Sequence, residues 1–191
     1  MERWSNWAGD QACEPASIER PGTLDALQRT VARSVERGLR VRASASGHSF
    51  TDCALTEGVM IRLDGLTRKL GFDPESGLFK AEAGAVLHDL NRMLDRDGVA
   101  FENLGDIDRQ TVAGSISTGT HGTGERFQNV SAQVAALELI APDGSLVTVD
   151  NSEPDLLRAA RVAAGALGII YSVTVRTVPA YTVNRVDSPK P

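Results

Sequence analysis

Residues 43–50 have the sequence ASASGHSF, and this stretch decides the fold more than any other part of the chain. A second stretch of the same character, VAGSISTGTHGTG, occupies residues 112–124. Glycine lacks the Cβ that would obstruct close approach of a ligand, and Ser and Thr hydroxyls add donors to those of the backbone. Two such stretches, each with a histidine, predict loops that hold an anion such as a pyrophosphate.

Two familiar phosphate-binding patterns are excluded. Neither stretch contains the Gly-Lys-Ser or Gly-Lys-Thr of a P-loop, and no Gly-x-Gly-x-x-Gly leads from a strand into a helix. Loops that merely need positive φ would have the same composition, so that alternative stays open. A metal site built from His48, Asp52 and His121 is conceivable, but no recognised ligand spacing supports it, and we predict none.

Helices and strands are predicted on both sides of the first loop. Thr23 is a plausible N-cap, and apolar residues recur at helical spacing from Leu24 to Val35 before a stop at Gly38. Alternating residues then predict a strand that leads directly into the loop. Further predicted elements are a strand at 59–61, a strand at 78–83 and a second helix from Leu87 to Gly98.

The second half of the chain predicts mainly antiparallel structure. Residues 130–141 and 146–149 flank Pro142-Asp143-Gly144, which is a strong hairpin signal. Ser152 opens a third predicted helix, and residues 169–175 form the last predicted strand. The order of elements indicates an α+β fold in two lobes.

Composition limits the partners. The 191 residues carry 25 acidic and 20 basic side chains, a formal net charge of −5, and the basic residues are scattered, so we expect no nucleic acid partner. No apolar run approaches membrane-spanning length, and the start of the chain has no apolar leader, so we expect no membrane span and a cytoplasmic protein. The two cysteines, Cys13 and Cys53, are expected to be free thiols.

The stretch Ser46-Gly47-His48-Ser49-Phe50 resembles the flavin-attachment loop of the vanillyl-alcohol oxidase and p-cresol methylhydroxylase (PCMH) family. The second stretch is similar to that of the sugar-1,4-lactone branch of the family, which contains L-gulonolactone oxidase or dehydrogenase, D-arabinono-1,4-lactone oxidase and alditol oxidase. Three shorter segments look like the same branch, so the resemblance runs from about Trp4 to Pro179: residues 4–9, 101–103 and 165–170.

The resemblance implies a two-lobed PCMH-type FAD-binding domain. A small parallel β lobe with helices would join a larger, mainly antiparallel β lobe, with FAD between them. We expect this domain to span residues 1–180 and residues 181–191 to be a linker toward a C-terminal substrate domain.

The resemblance also implies the cofactor and its contacts. A ring nitrogen of His48 would be joined covalently to the 8α-methyl carbon of FAD. His121 would order backbone or phosphate, Ile170 would contact the adenine side, and His88 would be a surface residue. The full set of expected cofactor contacts is Ser44, Ala45, Ser46, Gly47, His48, Ser49, Val112, Gly114, Ser115, Thr118, Gly119, His121, Gly122 and Ile170.

The implied reaction is oxidation of a sugar lactone or polyol. Hydride would pass from a carbinol carbon to flavin N5, and dioxygen or another acceptor would reoxidise the flavin. Ser115 is the one catalytic candidate, as a hydrogen-bond partner of a substrate hydroxyl, although a serine that satisfies its own turn is the alternative. A noncatalytic FAD- or nucleotide-binding module, or a product without turnover, stays open as the rival function.

Overall fold

The computed structural model describes residues 2–184 and 186. Its helices are α1 Leu24–Glu36, α2 Leu87–Arg96, α3 Val112–Ser117 and α4 Pro154–Ala160. Its strands are β1 Trp4–Ser5, β2 Ala12–Cys13, β3 Ser17–Glu19, β4 Val41–Ser44, β5 Val59–Arg62, β6 Lys69–Asp73, β7 Leu78–Glu82, β8 Val99–Ala100, β9 Val134–Ile140, β10 Leu146–Val149, β11 Ile169–Arg176 and β12 Val178–Pro179.

The first lobe is a three-stranded parallel sheet with strand order β3-β5-β4. Helix α1 connects β3 to β4, and the Thr23 hydroxyl accepts a hydrogen bond from the Ala26 backbone N–H at 3.2 Å, as an N-cap does. Leu27 and Val31 on α1 are buried, and Gly38 ends the helical segment with φ of +70°. Because the strands are parallel, the loop after β4 leaves at their common carboxyl edge.

The second lobe is a five-stranded antiparallel sheet with strand order β10-β9-β11-β7-β6. Strand β11 lies at its centre between β9 and β7, and its residues are buried from Ile169 to Val173. Two short ribbons, β1 with β2 and β8 with β12, complete the strand pairs of the described residues.

One hydrophobic core joins the lobes. It contains Val59 and Ile61 of the parallel sheet together with Phe79 and Val173 of the antiparallel sheet. Helix α1 contacts both β4 and β9, and the Gln28 amide donates to the Gly144 carbonyl at 2.9 Å. The prediction of an α+β fold with a parallel and a larger antiparallel lobe is confirmed.

Two local predictions are wrong. Residues 112–124 were expected to be one loop, but the first six form α3, because Thr111 caps the helix by accepting from the Gly114 N–H at 3.1 Å. The strand expected from Val130 begins only at Val134, after a single 3-10 turn. The third predicted helix is confirmed as α4, although it begins at Pro154 and not at Ser152.

The end of the chain has little regular structure where it is described. Residues 181–184 are exposed and form no strand or helix, although the Tyr181 hydroxyl donates to the Phe101 carbonyl at 3.1 Å. The predicted linker, residues 181–191, otherwise lies outside the described residues. In the described part of the chain, every helix is too short or too polar to cross a membrane.

Candidate functional site

A cleft opens where the two lobes meet. One wall is the carboxyl edge of the parallel sheet and the loop after β4, and another is α3 with the residues just before it. The turn that precedes β11 forms the third wall. The space between these walls, including the solvent at the open mouth, is about 860 Å³. Its walls are residues 42–49, 53–54 and Leu63; 110–111, 113–114 and 117–118; and 164–165, Gly168 and Ile170.

The first wall contains residues 43–49, which belong to the first of the two glycine- and serine-rich stretches. Strand β4 ends at Ser44, and the chain turns back through Gly47, whose φ is +70°, a backbone conformation that glycine adopts without cost. His48 follows immediately, and its ring stacks on the ring of Trp7, with centroids 5.4 Å apart and planes inclined by 30°. The turn thus brings an imidazole into the cleft wall.

Ser44 is the most informative residue of this wall. It is 1% exposed, and its Oγ has no hydrogen-bond partner within the described structure. An unsatisfied buried hydroxyl costs free energy, so such groups are rare unless a ligand completes them. Ser44 also lines the cleft, so a polar group of a ligand bound there would supply the missing partner.

Helix α3 approaches the first wall closely at Gly114. A Cβ at this position would lie 3.6 Å from the Ala45 Cβ and 3.1 Å from the Thr111 hydroxyl. Glycine thus keeps the cleft open between α3 and the loop after β4. Ser117 and Thr118 line the cleft farther along the helix.

The third wall is held in an unusual backbone conformation. Ala164 has φ of +47°, and Gly165 and Gly168 follow with φ of +79° and +142°. A non-glycine residue in the left-handed region costs of order 1–3 kcal/mol and is most common at functional sites. The Arg42 guanidinium reaches across from β4 and donates to the Ala164 carbonyl at 3.3 Å.

The lining suits a dinucleotide with a pyrophosphate. Among the described residues that line the cleft there is no carboxylate, whereas Arg42 contributes a positive charge. Small side chains expose backbone N–H groups on the first wall, and Ser44 adds a free hydroxyl. These residues fit the phosphates of FAD.

Nine of the fourteen predicted cofactor contacts line this cleft, and five do not. Those that line it are Ser44, Ala45, Ser46, Gly47, His48, Ser49, Gly114, Thr118 and Ile170. Those that lie elsewhere are Val112, Ser115, Gly119, His121 and Gly122.

The catalytic prediction for Ser115 finds no support in this geometry. Its side chain is completely buried, and its hydroxyl donates to the Val112 carbonyl at 2.9 Å. Val112 is itself a core residue that is 1% exposed. The arrangement favours the alternative reading, a serine that satisfies its own helical turn.

The residues after α3 pack on another part of the chain. A Cβ at Gly122 would lie 2.4 Å from the Leu104 carbonyl oxygen, so this glycine allows two backbones to approach. His121 is exposed, and its Nδ1 hydrogen-bonds the Gly122 carbonyl at 2.8 Å. At Gly119 an added Cβ would meet nothing within 4 Å.

Sequence reasoning missed five polar or reactive residues of the lining: Arg42, Cys53, Gln110, Thr111 and Ser117. Arg42 was assigned to the alternating polar face of a strand, and that pattern does not reveal which cleft the face borders. The N-cap at Thr111 could have revealed Ser117, because a helix beginning there turns one face toward the first loop.

The other candidate features have simple explanations. His88 hydrogen-bonds Asp108 at 2.7 Å outside the cleft, and this contact lowers the pKa of the Asp108 carboxyl. Cys13 and Cys53 are free thiols. No cluster of metal-ligating side chains occurs in residues 2–184 or at 186.

Proteins with similar sequences include a sugar-lactone dehydrogenase and a sugar-lactone oxidase. An L-gulono-1,4-lactone dehydrogenase of Mycobacterium tuberculosis is 47% identical over 184 residues, covering 96% of this chain and 42% of that protein. A D-arabinono-1,4-lactone oxidase of Yarrowia lipolytica is 40% identical over 183 residues, covering 93% of this chain and 35% of that protein. The chain thus spans about two fifths of the length of these relatives.

A solved structure has the same fold. The xylooligosaccharide oxidase from Myceliophthora thermophila C1, in complex with xylobiose, superposes with a TM-score of 0.82 at 26% sequence identity. The match covers 92% of this chain and 38% of that chain. Two lobes with a small-residue cleft between them define a flavin-binding domain of the PCMH type. The model of the FAD binding domain family matches residues 15–150, and the chain belongs to this family.

Proposed function

We propose that the chain holds FAD in the cleft between its lobes and forms the flavin-binding part of an oxidoreductase that oxidises a sugar lactone or a related polyol. The observation that carries this proposal is the cleft lining, which combines small residues, an unpartnered buried hydroxyl at Ser44 and a positive charge at Arg42. The lactone specificity is supported by the names of the relatives that match nearly the whole chain.

Each wall has a distinct task in this proposal. The backbone of residues 45–47 and the Ser44 hydroxyl donate to the pyrophosphate, and Arg42 balances its charge. Ile170 offers an apolar side chain to the adenosine end of the cleft. The open face of α3 at Gly114 and Thr118 leaves space for the remainder of the cofactor.

FAD, when bound, supplies the hydride acceptance that oxidation of a carbinol carbon requires. His48 lies in the cleft wall, where its ring nitrogen can form the covalent link to the 8α carbon. The substrate hydroxyl must also lose a proton. We propose that the proton-accepting group lies in a substrate domain that residues 181–191 would join to this one, because this chain spans about two fifths of the length of its relatives.

The two free thiols suit a reducing compartment such as the cytoplasm, which we propose as the location. The final electron acceptor is dioxygen or another oxidant, since the relatives include both an oxidase and a dehydrogenase.

Flavin content of the purified chain tests the proposal. We expect oxidised-flavin absorbance that stays with the acid-precipitated protein. In His48→Ala, the acid-stable flavin should vanish while reversible FAD binding survives, because the other lining residues are unchanged. His88→Ala is the matched control, since that histidine lies outside the cleft.

Failure of the purified chain to bind FAD would contradict the proposal. Acid-stable flavin in His48→Ala would place the link on another residue. For the substrate, anaerobic addition of L-gulono-1,4-lactone or D-arabinono-1,4-lactone should bleach the flavin of this chain far more slowly than dithionite does. Bleaching within seconds would show that this chain alone carries the proton acceptor.

A further inference from the structure

The N-terminal hairpin, residues 4–13, braces the loop that carries His48. The backbone N–H of Trp7 donates to the Gly47 carbonyl at 2.8 Å. The Asn6 side-chain amide donates to the Ser49 carbonyl at 2.9 Å. These two hydrogen bonds hold the residues on both sides of His48, so the hairpin fixes the backbone from which the imidazole projects.

The hairpin is itself rigid enough to act as a brace. Asn6 is 5% exposed, and its side-chain oxygen accepts from the Gln11 N–H at 3.1 Å. Its amide also donates to Asp10 at 2.6 Å. A Cβ at Gly47 would lie 3.3 Å from Cζ2 of Trp4, so the loop lies directly against the hairpin.

Trp7 adds a contact with the reactive side chain. Its indole stacks on the His48 imidazole at 5.4 Å between centroids, a separation typical of an aromatic pair. Trp7 is nevertheless 69% exposed. Burial of an apolar ring therefore does not explain its position, whereas orientation of His48 does.

We propose that the hairpin is a clamp for covalent flavin attachment, with Trp7 as a positioning residue that holds the His48 imidazole in the orientation from which it bonds to the cofactor. This inference rests on the proposed link at His48. Attachment breaks a C–H bond of the 8α-methyl group and the imidazole N–H bond, and forms the carbon–nitrogen bond. The two electrons and two protons released are taken up by dioxygen, which becomes hydrogen peroxide.

Orientation matters for attachment and not for reversible binding. A histidine side chain in a loop can occupy several rotamers, and only some of them direct a ring nitrogen toward the cofactor. Holding one of them raises the fraction of encounters that can form the bond. Trp7 does not line the cleft, so its loss leaves the reversible FAD contacts intact.

The experiment compares the attachment rate with the reversible affinity. The full chain is purified flavin-free from cells limited in riboflavin and is mixed with FAD in air. Acid-stable flavin fluorescence is followed with time, and the initial affinity is measured by fluorescence titration in a His48→Ala background. The variants are Trp7→Ala, Trp7→Leu and Trp7→Phe, with Phe127→Ala as an exposed aromatic control outside the cleft lining.

We expect Trp7→Ala and Trp7→Leu to slow attachment by about tenfold, in line with loss of one aromatic contact, with an unchanged dissociation constant for FAD. Trp7→Phe should restore most of the rate because it keeps a stacking ring, and Phe127→Ala should match the parent. Trp7→Leu keeps apolar bulk, so it decides the question if Trp7→Ala fails to fold.

Three results would overturn the inference. Equal attachment rates in the parent and Trp7→Leu would remove the positioning role while leaving the proposed function intact. A slower rate in Trp7→Leu matched by an equal loss of FAD affinity would show a role in binding only. A parent chain that forms no acid-stable flavin would refute the proposed His48 link and the inference with it.

Discussion

The stretches at residues 43–50 and 112–124 have nearly the same composition, yet the structure uses them differently. The first consists of the end of β4 and the loop that follows it, and each of its residues from Ala43 to Ser49 lines the cleft. The second begins as helix α3, which turns only Ala113, Gly114, Ser117 and Thr118 to the cleft. Of its remaining glycines, Gly119 has a positive φ, Gly122 allows a backbone contact with Leu104, and Gly124 lies against the Phe127 ring.

The difference shows that small residues serve two purposes that composition cannot distinguish. A glycine can leave space for a ligand, or it can permit a conformation that another residue would strain. Gly114 and Gly119 represent these two cases within a few residues of each other. Substitutions at these positions therefore provide the sharpest test of the comparison.

The largest effect is expected for Gly114→Val. Its branched side chain would enter the narrow space between α3 and Ala45, where a Cβ alone lies 3.6 Å from the Ala45 Cβ. Overpacking typically costs about 1–3 kcal/mol, so FAD affinity should fall roughly ten- to hundredfold. Fluorescence titration in a His48→Ala background measures this reversible binding.

Gly119→Ala is the matched control for this prediction. An added Cβ there meets nothing within 4 Å, but φ is +69°, so alanine should cost about 1–2 kcal/mol of folding free energy. Denaturant unfolding should detect that loss while FAD affinity stays unchanged. If Gly119→Ala weakened FAD binding more than Gly114→Val, the assignment of the two glycines would be reversed.

A smaller effect is expected for Arg42→Gln. Hydrogen bonds to charged groups contribute about 1.5–3 kcal/mol when sheltered, and partial exposure of Arg42 reduces this, so FAD affinity should fall about tenfold. Riboflavin lacks phosphates, and its affinity should not change. Arg40→Gln is the control, because Arg40 is exposed and outside the cleft lining. Equal losses for FAD and riboflavin would argue against a phosphate contact.

For Ser44→Ala we expect an effect on FAD affinity no larger than that of Arg42→Gln, together with an opposite effect on the stability of the flavin-free protein. Removal of a buried hydroxyl without a partner should raise the free energy of unfolding of the flavin-free protein by about 1 kcal/mol. The same change should lower FAD affinity about tenfold, since a hydrogen bond to the charged pyrophosphate contributes about 1.5 kcal/mol or more.

Ser172→Ala is the control for Ser44, because the Ser172 side chain is equally buried but donates to Glu138 at 2.6 Å. Its loss should destabilise the protein without changing FAD affinity. A destabilised Ser44→Ala with normal FAD binding would mean that the Ser44 hydroxyl serves the fold.

Much of the fold could be predicted because local signals agreed with the tertiary structure. The Thr23 cap and buried apolar stripe of α1, and the turn at residues 142–144 between β9 and β10, were sufficient. Strand β6 had no such signal, because its alternation is broken by an irregular register around Gly71. Helix α3 was concealed by its glycine and serine content, which locally favours a loop.

The sequence predicted the part of the cleft lining that one continuous segment of the chain supplies. Residues 44–49 lie at the end of a single strand and in the loop after it, so their common place in one wall of the cleft could be inferred from the sequence. Arg42 and the turn at Ala164 meet only when the parallel sheet and β11 are brought together, and sequence spacing does not contain that contact. Gly119 and Gly122 were assigned to the cofactor because the second stretch resembles that of the family, and that resemblance does not contain the contact with Leu104 either.

A crystal structure of the FAD-loaded chain would show directly which of the two stretches contacts the phosphates of FAD. We expect the pyrophosphate to lie against residues 44–47, within hydrogen-bond distance of the Ser44 Oγ, with Gly114 facing the cofactor across the cleft. Phosphates bound instead to the backbone of residues 119–124, with the Ser44 hydroxyl still unpartnered, would contradict it.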